Sequence, residues 1–121
     1  MKPEGFPKEE RVRRSEDFTR ILQGGARIRG RYLSAFWLPD AEDGRGVNRV
    51  GVAAGKRLGN AVVRSRLKRR LREAYRRNKR KLPCRGITII FVASPRMIGR
   101  SALEVETDLK QVLETISTSS A

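Results

Sequence analysis

Histidine is absent from this chain, and cysteine occurs once, as Cys84. Without histidine there is no imidazole acid–base catalyst, and with one thiol there is neither an intramolecular disulfide nor a Cys/His metal set. A reducing, cytoplasmic setting is expected. No apolar run approaches the eighteen or more residues of a membrane span, and the opening stretch MKPEGFPKEERVRRS lacks the apolar core of a signal peptide. Neither membrane insertion nor secretion is expected. Acids are scarce, with 13 Asp and Glu against 28 Lys and Arg, a net charge of +15. So much unbalanced positive charge opposes compaction unless a polyanion neutralises it, and nucleic acid is the first candidate. Aromatics are scarce too, at one Trp, two Tyr and four Phe.

What is present fits one domain of 121 residues. Pro3, Gly5 and Pro7 among mixed charges make residues 1–14 an expected flexible arm. Ser15 is a candidate N-cap, and Phe18, Ile21 and Leu22 share a face before two glycines, which predicts a helix from Glu16 to Gln23. ARIRG and RYLSAFWLP read as strands, the second closed by Pro39, with Trp37 assigned to the core. NRVGVAAGK reads as a third strand, and GITIIFVASP as a fourth, covered on both faces and paired beside the third. Between these two, Val63, Leu67, Leu71, Ala74, Tyr75 and Leu82 recur at helical spacing, with Asn60 as a cap and Pro83 as a stop. Ser101-Ala-Leu-Glu104 is a capping box that opens a last helix striped by Val105, Leu109, Val112, Leu113 and Ile116. The expected domain therefore spans residues 15–116, with a disordered tail at 117–121. The order α-β-β-β-α-β-α predicts an α+β fold, a two-layer sandwich of a small mixed sheet and helices.

The central helix carries the functional signal. From Lys56 to Lys81 there are thirteen Lys or Arg and one acid, Glu73, so 26 residues hold twelve of the fifteen net positive charges. Solvated helix faces usually mix signs, because oppositely charged i,i+4 pairs support a helix and like pairs oppose it by a few tenths of a kcal/mol each. Arg69, Arg72 and Arg76 lie opposite the apolar stripe, flanked by Arg66, Lys68, Arg70 and Arg77. A phosphate backbone accounts for such a face better than solvent does. An anionic membrane surface is the other candidate, but the apolar face is needed for the sheet and offers only one aromatic, Tyr75. Ahead of the helix, Gly55 and Gly59 bracket Lys56 and Arg57 at its positive dipole end, a credible anion site without the residue order of a nucleotide-hydrolysing loop.

The run Lys56, Arg57, Leu58, Gly59, Asn60, Ala61, Val62, followed by Arg64, Arg66, Lys68, Arg69, Arg72 and Glu73, resembles the signature of the bacterial ribonuclease P protein subunit family. RVRRSEDFTRIL, RYLSAFWLP and RVGVAAGK are similar to the family as well. Two positions depart from its pattern: Ser65 stands where an Asn is usual, and Leu22 where an aromatic is frequent. The resemblance implies a four-stranded mixed sheet with a left-handed β-α-β crossover, where the general rule predicts a right-handed one. It implies an accessory subunit of an endoribonuclease that removes the 5′ leader of precursor tRNA, with Mg²⁺ bound through a catalytic RNA subunit and this chain inactive alone. By the same resemblance, Lys56, Arg57, Asn60, Arg64, Arg66, Lys68, Arg69 and Arg72 contact the catalytic RNA. A cleft between the first helix and the sheet, with Phe18, Leu22, Ser34 and Phe36, takes the leader. Parity along the second strand leaves both faces apolar, so Phe18 and Phe36 also read as core residues. Two other classes stay open on sequence: a ribosomal RNA-binding protein and a self-sufficient nuclease.

Overall fold

A computed structural model describes residues 15–39, 49–81 and 87–119, without the side chains of 15–19, 39, 81 and 119. The expected arm at 1–14, the loop at 40–48, Leu82, Pro83 and Cys84 lie outside the described residues. The elements in chain order are α1 (Ser15–Gly24), β1 (Ala26–Arg29), β2 (Leu33–Pro39), β3 (Arg49–Ala53), α2 (Ala61–Asn78), β4 (Ile87–Ala93) and α3 (Ala102–Ser119), with short 3₁₀ turns at Lys56–Leu58, Lys79–Lys81 and Pro95–Met97. The predicted α+β order is observed. Two helix limits differ from expectation. α1 is one residue longer at each end, and α3 continues to Ser119 through residues expected to be a disordered tail. Thr115 and Thr118 donate their hydroxyls to the carbonyls of Gln111 and Glu114, four residues back, so these side chains meet their hydrogen-bonding need inside a helix that runs past its apolar stripe.

The sheet order is β1-β2-β4-β3, with β1–β2 and β2–β4 antiparallel and β3–β4 parallel. β4 lies inside the sheet, and six of its seven residues are buried, which is why its sequence is an unbroken apolar run. One sheet face carries Leu33, Ala35 and Trp37 from β2, Val50 and Val52 from β3, and Ile87, Ile89 and Phe91 from β4. α2 covers this face with Leu67, Leu71, Ala74 and Tyr75, and α3 with Val105, Leu109, Val112, Leu113 and Ile116. Tyr75 and Phe91 meet at 5.9 Å between ring centroids, joining α2 to the central strand. The two long helices and the sheet are the predicted two layers. Ile21 and Ile90, each fully buried, stand outside that core: α1 packs on β2 and β4 from the opposite face, and Ile90 has the opposite parity to Ile89 and Phe91.

The caps confirm the local reading. Asn60 Oδ1 accepts the amide of Val63 at 3.1 Å, and Ser101 and Glu104 exchange side-chain-to-backbone hydrogen bonds at 3.1 Å each. A tie between distant segments completes the frame. Asp108, buried on α3, accepts the amides of Arg31 and Tyr32 at 2.8 Å each, pinning the β1–β2 turn to the last helix.

Candidate nucleic-acid interface

The loop before α2 is built around one obligatory glycine. Gly59 has φ +143°, a conformation that side-chain-bearing residues rarely adopt, and a Cβ there would crowd Val63 Cβ at 3.1 Å. Gly55 is different: its φ is −68°, and open space surrounds it. Its conformation does not require glycine. Lys56 and Arg57 stand exposed on the intervening 3₁₀ turn. Asn60 uses its side-chain oxygen as the cap, which leaves its NH₂ group free to donate.

Packing divides the cations of α2 into two rows. Arg64, Lys68 and Arg72 follow one another at four-residue intervals along one flank. Arg64 is half-buried, and its Nε donates to the Ala54 carbonyl at 3.2 Å, so it also fastens the helix start to the end of β3. The second row, Arg66, Arg69, Arg70 and Arg77, borders a groove between α2 and the segment leading into α3. Arg70 and Arg77 were not singled out as contacts from sequence, although their flank positions on the helical wheel were the available signal. Glu73, the only acid of α2, is bonded by Arg76 at 3.1 Å and lies 3.4 Å from Arg77. The Arg76 hydrogen bond, joined by the charges of Arg76 and Arg77, holds its carboxyl below the ordinary value of 4.5 against the opposing effect of desolvation. Among the described residues, Arg66, Arg69, Arg70 and Arg72 have no acid partner.

The second candidate surface is the sheet face under α1. Strand pairing aligns Arg27, Phe36, Ile90 and Gly51 in one row and Arg29, Ser34, Val92 and Ala53 in the next. Ile90 and Gly51 are buried; Phe36, Ser34, Val92 and Ala53 are half-buried; Arg27 and Arg29 are exposed. α1 thus covers part of this face and leaves a half-open apolar lane with arginines along its β1 edge. The Arg27 guanidinium sits 5.5 Å from the centre of the Phe36 ring. Arg27 and Arg29 were not predicted as site residues; their alternation in ARIR, at the parity that faces Phe36 across the strands, was the signal. Leu22, at 40% exposed, lies on α1. The side chain of Phe18, also in α1, falls outside the described residues. Among the described residues no group of three or more His, Cys, Asp or Glu could hold a metal ion, and no helix is long and apolar enough to cross a membrane.

Fold and surface define a small basic α+β protein with two faces suited to nucleic acid. The family model "Ribonuclease P" matches residues 6–117. The chain is 35% identical over 107 residues to the ribonuclease P protein component of Alkaliphilus oremlandii, covering 88% of this chain and 90% of that one. It is 36% identical over 104 residues to the corresponding protein of Syntrophobacter fumaroxidans, covering 86% and 85%. Among solved structures, the ribonuclease P protein of Staphylococcus aureus superposes with a TM-score of 0.76 at 27% identity, over 88% of this chain and 94% of that one. That of Thermotoga maritima gives 0.76 at 25%, over 88% and 96%. The chain belongs to the ribonuclease P protein family: it is a protein subunit of the ribonuclease P ribonucleoprotein, the endoribonuclease of tRNA processing. The ribosomal alternative is set aside by that membership.

Proposed function

We propose that α2 and its leading loop bind the catalytic RNA of the ribonucleoprotein, and that the lane between α1 and the sheet takes the single-stranded 5′ leader of precursor tRNA. The observation that carries this reading is the cationic surface of α2, two rows of Lys and Arg with Glu73 as the one acid. Like charges so arranged oppose their own helix, and phosphates relieve that opposition. Lys56, Arg57 and the free NH₂ of Asn60 extend the surface past the helix start. The lane suits an unpaired strand, since Phe36 offers a ring for stacking and Arg27 and Arg29 offer charge to its phosphates. Stacking of this kind contributes about 1–3 kcal/mol per base and tolerates any sequence, as leaders of different tRNAs require.

In this reading the chain supplies binding and no bond-breaking group. Mg²⁺ is held by the RNA subunit, and the protein alone does not cleave. Its contribution is to screen repulsion between two folded RNAs and to hold the leader in line with the cleavage site. The test is single-turnover cleavage of a precursor tRNA by a bacterial ribonuclease P RNA at low Mg²⁺, with and without this protein. Restored cleavage at the mature 5′ end supports the proposal; tight RNA binding with no effect on cleavage refutes it.

A further inference from the structure

The second cation row of α2 borders something the charge pattern alone did not reveal. Between α2 and residues 97–106 lies a groove of about 730 Å³, within the range of about 300–1,000 Å³ typical of pockets that seat a small organic moiety. Its lining divides by chemistry. Val63, Leu67, Ala74, Met97 and Ile98 form an apolar part, and around it stand Arg66, Arg69, Arg70, Arg77 and Arg100 together with three acids, Glu73, Glu104 and Glu106. Met97 is fully buried, but its neighbour Ile98 remains 45% exposed on the lip, where Gly99 at φ +81° turns the chain toward α3. The start of α3 does not make the site, because Ser101 and Glu104 already satisfy each other there. Arg77 is engaged by Glu73 and Glu106, and Arg100 by Glu104. The free charge at the rim is therefore that of Arg66, Arg69 and Arg70.

We propose that this groove seats an unpaired base of the ribonuclease P RNA, with the adjoining phosphates on Arg66, Arg69 and Arg70. The proposal rests on the reading that α2 lies against that RNA. A splayed-out nucleotide combines a flat, weakly polar face with an anion on either side, which is the complement of an apolar cleft rimmed by unpaired arginines. Duplex RNA keeps its bases stacked inside and presents ribose and phosphate, so it has nothing to place against Val63 and Ile98, the apolar side chains that reach the groove surface. This groove lies on the side of α2 that faces α3, away from the Arg64, Lys68 and Arg72 row. It gives the helix a second mode of contact besides phosphate neutralisation.

Two substitutions isolate the groove. Ile98→Asp and Leu103→Asp each add one carboxylate at an exposed apolar position of the same segment, but Leu103, 72% exposed, does not line the groove. Ile98→Asp is expected to weaken affinity for a bacterial ribonuclease P RNA about tenfold more than Leu103→Asp, toward the low end of a lost base contact. Chemical probing should show one or two unpaired bases that the wild-type and Leu103→Asp proteins shield and Ile98→Asp does not. If Ile98→Asp melts early, Ala102→Trp, at an exposed position in the groove wall, fills the groove without adding charge and should give the same footprint. Equal affinities and identical footprints would overturn the proposal, as would a footprint change confined to precursor tRNA. If the wild-type chain does not bind the RNA, the reading of α2 fails and this proposal with it. Tight wild-type binding with no difference between variants leaves α2 on the RNA and removes the base from the groove.

Discussion

At the scale of single residues, the candidate site depends on a few positions that hold its backbone in place. Gly59 is the sharpest case. Gly59→Ala forces a Cβ into a conformation only glycine adopts easily and toward Val63, so it should cost about 1–3 kcal/mol, read as a lower denaturant midpoint at unchanged slope. Asp108 is buried on α3 and holds the turn that joins β1 to β2. Asp108→Ala strips two amides of their acceptor in a buried place and should cost about 1–3 kcal/mol, whereas Asp108→Asn keeps one carbonyl oxygen and should cost less. The identity of Gly59 was visible in the sequence as part of a motif, and so was the cap at Asn60. The role of Asp108 was not, because its partners are 76 and 77 residues away. Arg64 shows the same limit: its spacing marked it as a cation of the helix, but its bond to the Ala54 carbonyl depends on where β3 ends.

At the scale of elements, α2 is held against its own charge by the sheet beneath it. Arg66→Glu with Arg69→Glu leaves the buried stripe untouched and reverses two charges of the groove-side row; affinity for ribonuclease P RNA should fall by at least tenfold at moderate salt, measured by equilibrium binding. Acid should act on this helix through Glu73. Its carboxyl is held below the ordinary value of 4.5 in the folded chain, so the ion pairs with Arg76 and Arg77 support the fold above that value. That support is lost as pH falls through the lowered pKa. Thermal melts followed from pH 8 to 3 should be level down to about pH 5 and then decline, and Glu73→Gln should make the decline shallower. Element types and order were legible because helical stripes, strand runs and caps are local signals. The end of α3 is not legible in the sequence, because Ser117–Ser119 carry no apolar stripe. Threonine hydroxyls bonded back to the preceding turn mark a helix that still runs there.

At the scale of the whole molecule, charge sets how the protein meets RNA. If about half a dozen phosphates are neutralised, log K should fall with log salt at a slope near −4 to −5, measured across a salt series. With no histidine in the chain, RNA affinity should stay nearly constant from pH 6 to 8, a range in which imidazole would otherwise titrate. The two faces should separate under mutation. Phe36→Ala removes a half-buried ring from the lane, so it should weaken binding of leader-bearing precursor tRNA about fivefold or more relative to leaderless tRNA, while affinity for the RNA subunit stays close to that of wild type.

The amino-acid sequence by itself determined the elements, the caps, the concentration of charge on one helix and the absence of imidazole chemistry, because each depends on composition or on residues within a turn or two of one another. It did not determine which face of β2 is core. Leu33, Ala35 and Trp37 alternate with Ser34, Phe36 and Leu38, and both sets are apolar enough to bury. Only the placement of α2 and α3 on the first set, and of α1 over part of the second, made one a core and the other a half-open lane. The groove beside Ile98 likewise exists only because α2 and the start of α3 meet after a strand has passed between them in sequence. Burial and enclosure arise from contacts between distant segments, and they become defined only when those segments pack.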